Sequence, residues 1–434
     1  MRSRILFGLF AKHNVQTCHQ CMRTARVIAS GKPRVETLGN SQRQSIFPVP
    51  ETVLTQIRRD VLLTDAYDGR VVFQRKASEQ LSKCKLNISN LSGSSAKQQL
   101  EVLTPRELVD FVQELARATL SKEILDTDLS ILQTVEDEFC LRAKSLDSAV
   151  LLLVADAFFV MHYRCSHYFS AMFREFEHRW TTMMIRKEDV VQLAMCVITG
   201  RKFPLLLVGN IEKFLNSNMD KFSASELSVI CAAFFITNTS FGNVEVMEKL
   251  ANAVLRGLPS RTLKSYQLGN ILKALRHAHF SKVSFYDSLG SSLSMSTILQ
   301  HESTLTDLSN IAFTYASLRI SSQKLFARIS SNAVRLIKNR THMRIKDVGR
   351  LVWSFAHLQE PLDEVVQNQL VFMLSRDAQL MEQFSEAFME ALSGLAMKEI
   401  YPVDLLHQLL STKFQKQKHG VVNFALIHCA VLCE

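Results

Sequence analysis

Glycine and proline are scarce in this chain of 434 residues, at 14 and 8. That argues against glycine-rich all-β folds and for a chain made mostly of helices. No apolar run reaches the roughly 18 residues that a membrane-crossing helix needs. The longest candidate, Ala149 to Met161, is interrupted by Asp156 and reads as a buried helix. There is no Walker A loop, no GxGxxG after a strand, no HExxH and no GxSxG. The 13 histidines are scattered without paired acids, so the expectation is a protein that is not an enzyme, with no cofactor and no metal. The nine cysteines are odd in number and sit mostly in apolar helical patterns, which suits reduced thiols rather than a disulfide framework. Cys18-His-Gln-Cys21 is a lone CxxC with no second pair to complete a zinc site.

Acidic residues are missing from the first 35 positions, where Arg2, Arg4, Lys12, Arg23, Arg26, Lys32 and Arg34 stand among Ser, Thr and the apolar Ile5, Leu6, Leu9 and Phe10. This basic, acid-free, amphipathic pattern is that of a mitochondrial transit peptide. The expected compartment is therefore the mitochondrial matrix; a basic tail that binds RNA or membrane is the alternative. Residues 1–35 are expected to be the mitochondrial targeting segment, 36–103 a linker and N-terminal capping helices, and 104–434 a helical-repeat solenoid; by composition 31–50 reads as linker, 51–86 as two helices and 87–99 as a polar loop.

What the sequence does have is self-similarity. Leu268-Gly-Asn-Ile-Leu-Lys-Ala-Leu-Arg-His-Ala278, Leu308-Ser-Asn-Ile-Ala-Phe-Thr-Tyr-Ala-Ser-Leu318 and Val348-Gly-Arg-Leu-Val-Trp-Ser-Phe-Ala-His-Leu358 follow one another at steps of 40. The same template fits at 108, 150, 190, 227, 384 and 421, which gives about nine copies with a mean step of about 39. Each has apolar residues at i, i+3, i+4, i+7 and usually i+8, as in Val348, Leu351, Val352, Phe355 and Ala356, and these form one stripe on a helix. Thr104-Pro-Arg-Glu107 and Ser223-Ala-Ser-Glu226 are capping boxes, and Asp347 is a first-turn acid. A second amphipathic segment separates the copies: Val244 to Leu255, Lys324 to Ile337, Asp363 to Leu374 and Val403 to Leu410. The expected fold is all-α, an α-solenoid of about nine helix-turn-helix repeats. Its last copy would leave an apolar face for a partner or a swapped segment to cover.

The copies at 308 and 348 carry a family resemblance. The chain resembles the degenerate helical repeats of FASTK-like and RAP-domain proteins and their heptatricopeptide and octotricopeptide relatives, over roughly 108–434 and most specifically at 260–360. The resemblance implies organellar RNA binding: transcript processing or stability, or a place in the mitoribosome holding rRNA. It departs from the family in having nothing after 421 that could form a RAP domain, which puts any nuclease-like activity in doubt. The kinase of the family name is no guide, because no kinase signature set is present.

Charge gives the expected interface. Residues 256–350 carry 15 basic and 4 acidic residues, whereas 351–434 carry 5 and 10. A basic block attracts polyanions, of which nucleic acid is the commonest; a solvated face or an acidic protein is the bland reading. Arg335, Lys338, Arg340, Arg344, Lys346 and Arg350, with His342, sit across one junction between repeats, as a phosphate grip would. Positions i+2 and i+9 point away from the stripe and hold Asn270 and His277, Asn310 and Ser317, and Arg350 and His357, a row suited to phosphate, 2′-OH or base edges. Phe313 and Trp353 share position i+5; base stacking there competes with core packing, which is the expected role. The expected partners are RNA, either rRNA or mitochondrial transcripts, and other proteins of a ribonucleoprotein complex. A protein-binding scaffold, or a peripheral subunit of a respiratory complex, is the alternative.

Overall fold

The computed structural model describes residues 93–402 and 405, less 121–128, 162, 164, 183–184, 260–262, 302, 340, 342 and 378–384. The transit-like segment, the CxxC pair, the linker, the expected capping helices at 51–86 and the copy at 421 lie outside the described residues, as do Arg340, His342 and nearly all of the segment from Val403 to Leu410. The described residues are helical, with no strand among them.

The helices form two rows. One holds α2 (Pro105–Leu120), α4 (Ser148–Val160), α6 (Lys187–Gly200), α8 (Ala224–Ile236), α10 (Ser265–His277), α13 (Leu305–Leu318), α15 (Ile345–His357) and α17 (Ser385–Met397). The other holds α1 (Gly93–Glu101), α3 (Leu129–Arg142), α5 (Ser166–Trp180), α7 (Leu205–Asn218), α9 (Val244–Gly257), α11 (Val283–Met295), α14 (Gln323–Lys338) and α16 (Glu364–Arg376). Each helix packs on its neighbour in its own row, and the rows pack on each other; the short α12 (Ile298–His301) rests on α14. The first row contains the sequence template, and its helices start at Ser265, Leu305, Ile345 and Ser385, a step of 40.

The template positions are the core. Leu268, Leu272 and Leu275, then Leu308, Ile311, Ala312 and Tyr315, then Val348, Leu351, Val352 and Phe355 are buried. Two registers differ from the sequence reading. The copy placed at 384 begins at Phe388, with Ala391, Leu392 and Leu395 buried, and the copy placed at 150 begins at Leu151. In the first case residues four apart share a helix face, so a template slid by one turn still finds apolar residues; in the second the helix is apolar on nearly every side, so a shift of one residue finds them too. The loop expected at 87–99 is also corrected: from Gly93 onward it is helix α1. Ala96, Lys97, Gln98 and Gln99 are good helix formers, and the buried Leu100 anchors them against α3.

Both ends of the first-row helices repeat. At the start, Thr304 N–H donates to Asp307 Oδ2 at 3.0 Å and Asp307 N–H donates to Thr304 Oγ1 at 3.3 Å, a reciprocal capping box. Ser223 with Glu226, and Thr104 with Glu107, do the same. These carboxylates also reach the adjacent helix of the row. Ser265 Oγ donates to Asp307 at 3.0 Å, Thr306 Oγ1 donates to Asp347 at 2.8 Å, and Lys187 lies 3.1 Å from Glu226. At the other end, Arg201, Asn238, His279, Arg319, Gln359 and Glu399 all have left-handed backbone, with φ of 49° to 60°. The following N–H closes the turn: Phe280 to the Leu275 carbonyl at 2.9 Å, Ile320 to Tyr315 at 3.0 Å, Glu360 to Phe355 at 2.9 Å and Ile400 to Leu395 at 3.0 Å. This is the Schellman pattern without its usual glycine. The left-handed residue stands at i+11 of every one of these copies once the last is set at 388.

Candidate nucleic-acid interface

A first-row helix is enclosed on three sides, by the second row behind and by a row neighbour on each flank. Only a narrow face is left; on α15 it takes in i−2, i+2, i+5 and i+9, and on α10 and α13 it is narrower, because i+2 is buried there. On α15 these are Lys346, Arg350, Trp353 and His357, the only residues between Lys346 and His357 that are not buried. On α10 the face carries Tyr266, Lys273 and His277, with Arg276 beside them, and on α13 it carries Thr306, Phe313 and Ser317.

This geometry separates the expected site residues. Arg350 and His357 lie on the face, together with His277 and Lys346. Asn270 and Asn310 do not reach solvent: they are 4% and 5% exposed. Asn270 Nδ2 donates to Ser228 Oγ of α8 at 3.2 Å, inside the row. Treating each helix as having a single buried stripe misses the flanking contacts that cover the two asparagines, which the structure places inside the row and not on the open face. Arg344 is exposed, but its guanidinium donates to both Asp347 oxygens at 2.7 and 3.0 Å and to Thr306 Oγ1 at 3.2 Å; the Asp347 carboxylate holds it above the usual arginine range. Arg335 donates to the Gln300 carbonyl, while Lys338 next to it in α14 is exposed. Arg344 therefore stands at the start of α15, about 20 Å along its axis from His357.

The sequence reading placed Phe313 and Trp353 in the core, and the structure does not. Both are half-buried, and neither packs against the apolar core; Phe235 of α8 is a third such ring. The three rings are set among cations. Lys273 Nζ lies 5.8 Å from the Phe235 centroid, and the Arg276 guanidinium lies 6.0 Å from Phe235 and 4.6 Å from Phe313. The Arg350 guanidinium lies 4.8 Å from the same Phe313 ring. Phe313 and Trp353 are 5.3 Å apart and tilted by 51°, and Trp353 stacks on His357 at 4.8 Å and 10°. An aromatic and cationic line thus crosses α8, α10, α13 and α15. For Phe313, Trp353 and Lys273 the signal was present in the sequence: i+5 stands about 130° from the centre of the stripe, too far round to join the core, whereas Phe235 and Arg276 stand at i+8, on its edge.

The charges on this face are poorly compensated. Burial, with Arg350 next, pushes Arg276 down to about 10, and its Nη1 is buried with no hydrogen-bond partner among the described residues. Burial pushes Lys273 down to about 8; Asp307 opposes that shift, while Arg276 and Arg350 add to it. The facing carboxylate is Glu390 of α17, which accepts from Arg350 Nε at 3.3 Å and is itself pushed up by burial. His277 and His357 are both held below the usual histidine range, chiefly by burial, so they are neutral at pH 7. His277 Nε2 is a further buried nitrogen with no hydrogen-bond partner among the described residues. A buried donor left unpaired costs about 1–3 kcal/mol, which an anion would recover. A cation–π contact contributes about 0.5–1 kcal/mol when exposed and about 2 kcal/mol or more when desolvated, the same range as the about 1–3 kcal/mol of a nucleobase stacked on an aromatic ring. The face therefore suits a ligand that brings phosphates and planar bases together.

No protein-family model matches the chain. Among curated proteins it is similar to FAST kinase domain-containing protein 5, mitochondrial. The mouse protein is 25% identical over 297 residues, covering 66% of this chain and 37% of that protein. The human protein is 22% identical over 307 residues, covering 69% of this chain and 38% of that protein, and the Macaca fascicularis protein is 24% identical over 307 residues. The chain is a distant homologue of these proteins. It spans well under half the length of the relatives it matches.

No helix among the described residues is long and apolar enough to cross a membrane. No group of three or more His, Cys, Asp or Glu among them could hold a metal ion. The cysteines there are free, and burial pushes the thiols of Cys140, Cys165, Cys196 and Cys231 up, Cys140 to about 11. They are protonated at neutral pH and poor nucleophiles.

Proposed function

We propose that this chain is a non-catalytic RNA-binding protein of the mitochondrial matrix, an α-solenoid of about nine repeats whose first-row face carries RNA. Its RNA is an rRNA held in the mitoribosome or a mitochondrial transcript undergoing processing. The observation that carries the reading is the line Phe235, Lys273, Arg276, Phe313, Arg350 and Trp353, which offers rings and cations on one face across four successive first-row helices. Cations fix a phosphate chain and rings accept its bases, a combination used for single-stranded nucleic acid. The mitochondrial relatives and the acid-free N-terminal segment support the compartment.

Sequencing the RNA that copurifies with the protein from mitochondria tests this. Enrichment of a defined rRNA or transcript is expected, with affinity falling steeply as salt rises. Recovery of protein neighbours with no RNA would contradict it and favour the scaffold reading. That second reading has its own observation: Leu205 and Leu206 of α7, Val244 of α9 and Val283 of α11 are all exposed apolar residues at the starts of successive second-row helices.

A further inference from the structure

Phe313 occupies an unusual position. It is a half-buried ring outside the core, and two guanidinium groups from different repeats converge on it, Arg276 at 4.6 Å and Arg350 at 4.8 Å. Like charges repel, so placing two cations on one ring is unfavourable unless something anionic joins them. The structure supplies Glu390 at 3.3 Å from Arg350, while Arg276 Nη1 is buried with no partner among the described residues. Trp353 stands 5.3 Å from Phe313, with the neutral His357 stacked against it, and so extends the planar surface away from the two arginines.

We infer that Phe313 is the stacking platform for one unpaired base, and that Arg276 and Arg350 leave its ring to that base and take the phosphates on either side. The proposal rests on the RNA-binding reading and specifies its ligand as single-stranded RNA. In the free protein the two guanidinium groups occupy the ring and keep it from collapsing into the row. On binding, base stacking replaces the cation–π contacts, and the freed donors meet an anion, which supplies the net gain. A paired base keeps both faces in its own helix and cannot make the exchange, so duplex RNA forgoes the stacking contribution.

The test uses the full chain and fluorescence anisotropy with three labelled probes: a uridine-rich single strand, its duplex, and a ribose-phosphate strand of the same length without bases. The wild-type chain is expected to prefer the single strand to both others by about tenfold. Phe313→Leu, which keeps an apolar side chain but removes the π face, should lower single-strand affinity about tenfold, leave the salt slope unchanged and leave the abasic strand unaffected. Phe313→Tyr should restore binding. Arg276→Gln and Arg350→Gln should each reduce the salt slope by about one. Thermal melting shows whether each variant is folded, and Phe313→Tyr provides the readout if Phe313→Leu is not. If the abasic strand binds as tightly as the base-containing one, or if Phe313→Leu binds both like wild type, the platform is overturned while RNA binding stands. If none of the three probes binds, the RNA-binding reading itself is refuted.

Discussion

Arg350 of α15 donates to Glu390 of α17 at 3.3 Å, and the two residues hold the same offset, i+2, in adjacent repeats. The pair joins the basic stretch to the acidic one that follows it in sequence. It also gives the cationic face a neutralising carboxylate. Glu390→Gln keeps the hydrogen-bonding oxygen and removes the charge. RNA affinity is expected to rise several-fold at low salt, with a steeper salt dependence, because Arg350 no longer shares its charge. Anisotropy titrations at three salt concentrations measure it; unchanged affinity would show that Arg350 does not meet the phosphates.

The same α15–α17 contact is a close backbone approach. A Cβ on Gly394 would lie 2.7 Å from Trp353 N and 2.9 Å from Trp353 Cα, which are backbone atoms that cannot swing aside. Alanine in a helix is favoured over glycine by about 1 kcal/mol, but overpacking against backbone costs about 1–3 kcal/mol or more. Gly394→Ala should therefore destabilise the chain on balance, and it should weaken RNA binding as well, because Trp353 moves with its backbone. Urea unfolding and RNA titration of one preparation check both effects.

Lys273 should make binding pH-dependent. Its ammonium is held down to about 8 by burial, with Asp307 opposing that shift and Arg276, Arg350 and then Asp347 also acting on it. A bound phosphate favours the charged form, so above pH 8 binding must take up a proton. Affinity is expected to be flat below pH 7 and to fall from pH 8 to 9.5. Lys273→Arg, charged throughout, should remove the slope. A wild-type affinity that stays flat to pH 9.5 would place Lys273 off the RNA path. For stability the sign is opposite. The depressed value means that the unfolded chain binds more protons between about 8 and 10.5, so this residue adds stability as pH rises through that window.

The left-handed turn residues allow a gain in stability. Arg319 has φ of 57° at the end of α13, closing a turn in which Ile320 N–H donates to the Tyr315 carbonyl at 3.0 Å. A side chain in that conformation costs roughly 1 kcal/mol that glycine avoids. Arg319→Gly should raise the urea midpoint by an amount corresponding to about 0.5–1 kcal/mol, and adding Gln359→Gly should contribute a similar increment, since the turns stand in separate repeats. A lower midpoint would mean that the arginine contributes more than its backbone strain costs.

These turns also show why part of the fold was not legible in the sequence. The stripe Leu308, Ile311, Ala312, Tyr315 reads directly as a helix face, and its recurrence at 268 and 348 reads as stacking. The ends of the helices did not read, because the usual glycine is replaced by Arg201, Asn238, His279, Arg319, Gln359 and Glu399, which have no composition in common. Without that marker the last described copy slipped by one turn, from 388 to 384. The candidate site failed in the opposite way. Asn270 and Asn310 are polar and on the right side of their helices, yet the row covers them; Phe313 is apolar, yet it stands outside the core. Polarity predicts exposure only when the number of neighbours around a helix is known, and in a two-row stack that number is set by tertiary packing.

The most direct test of the account is ultraviolet crosslinking of the native protein in mitochondria, followed by mass spectrometry of the RNA-bearing peptides. Adducts are expected on peptides from 265–277, 305–318 and 345–357, with Phe313 or Trp353 among the modified residues. Adducts confined to α7, α9 and α11, or an absence of RNA adducts beside efficient protein–protein crosslinks, would contradict it.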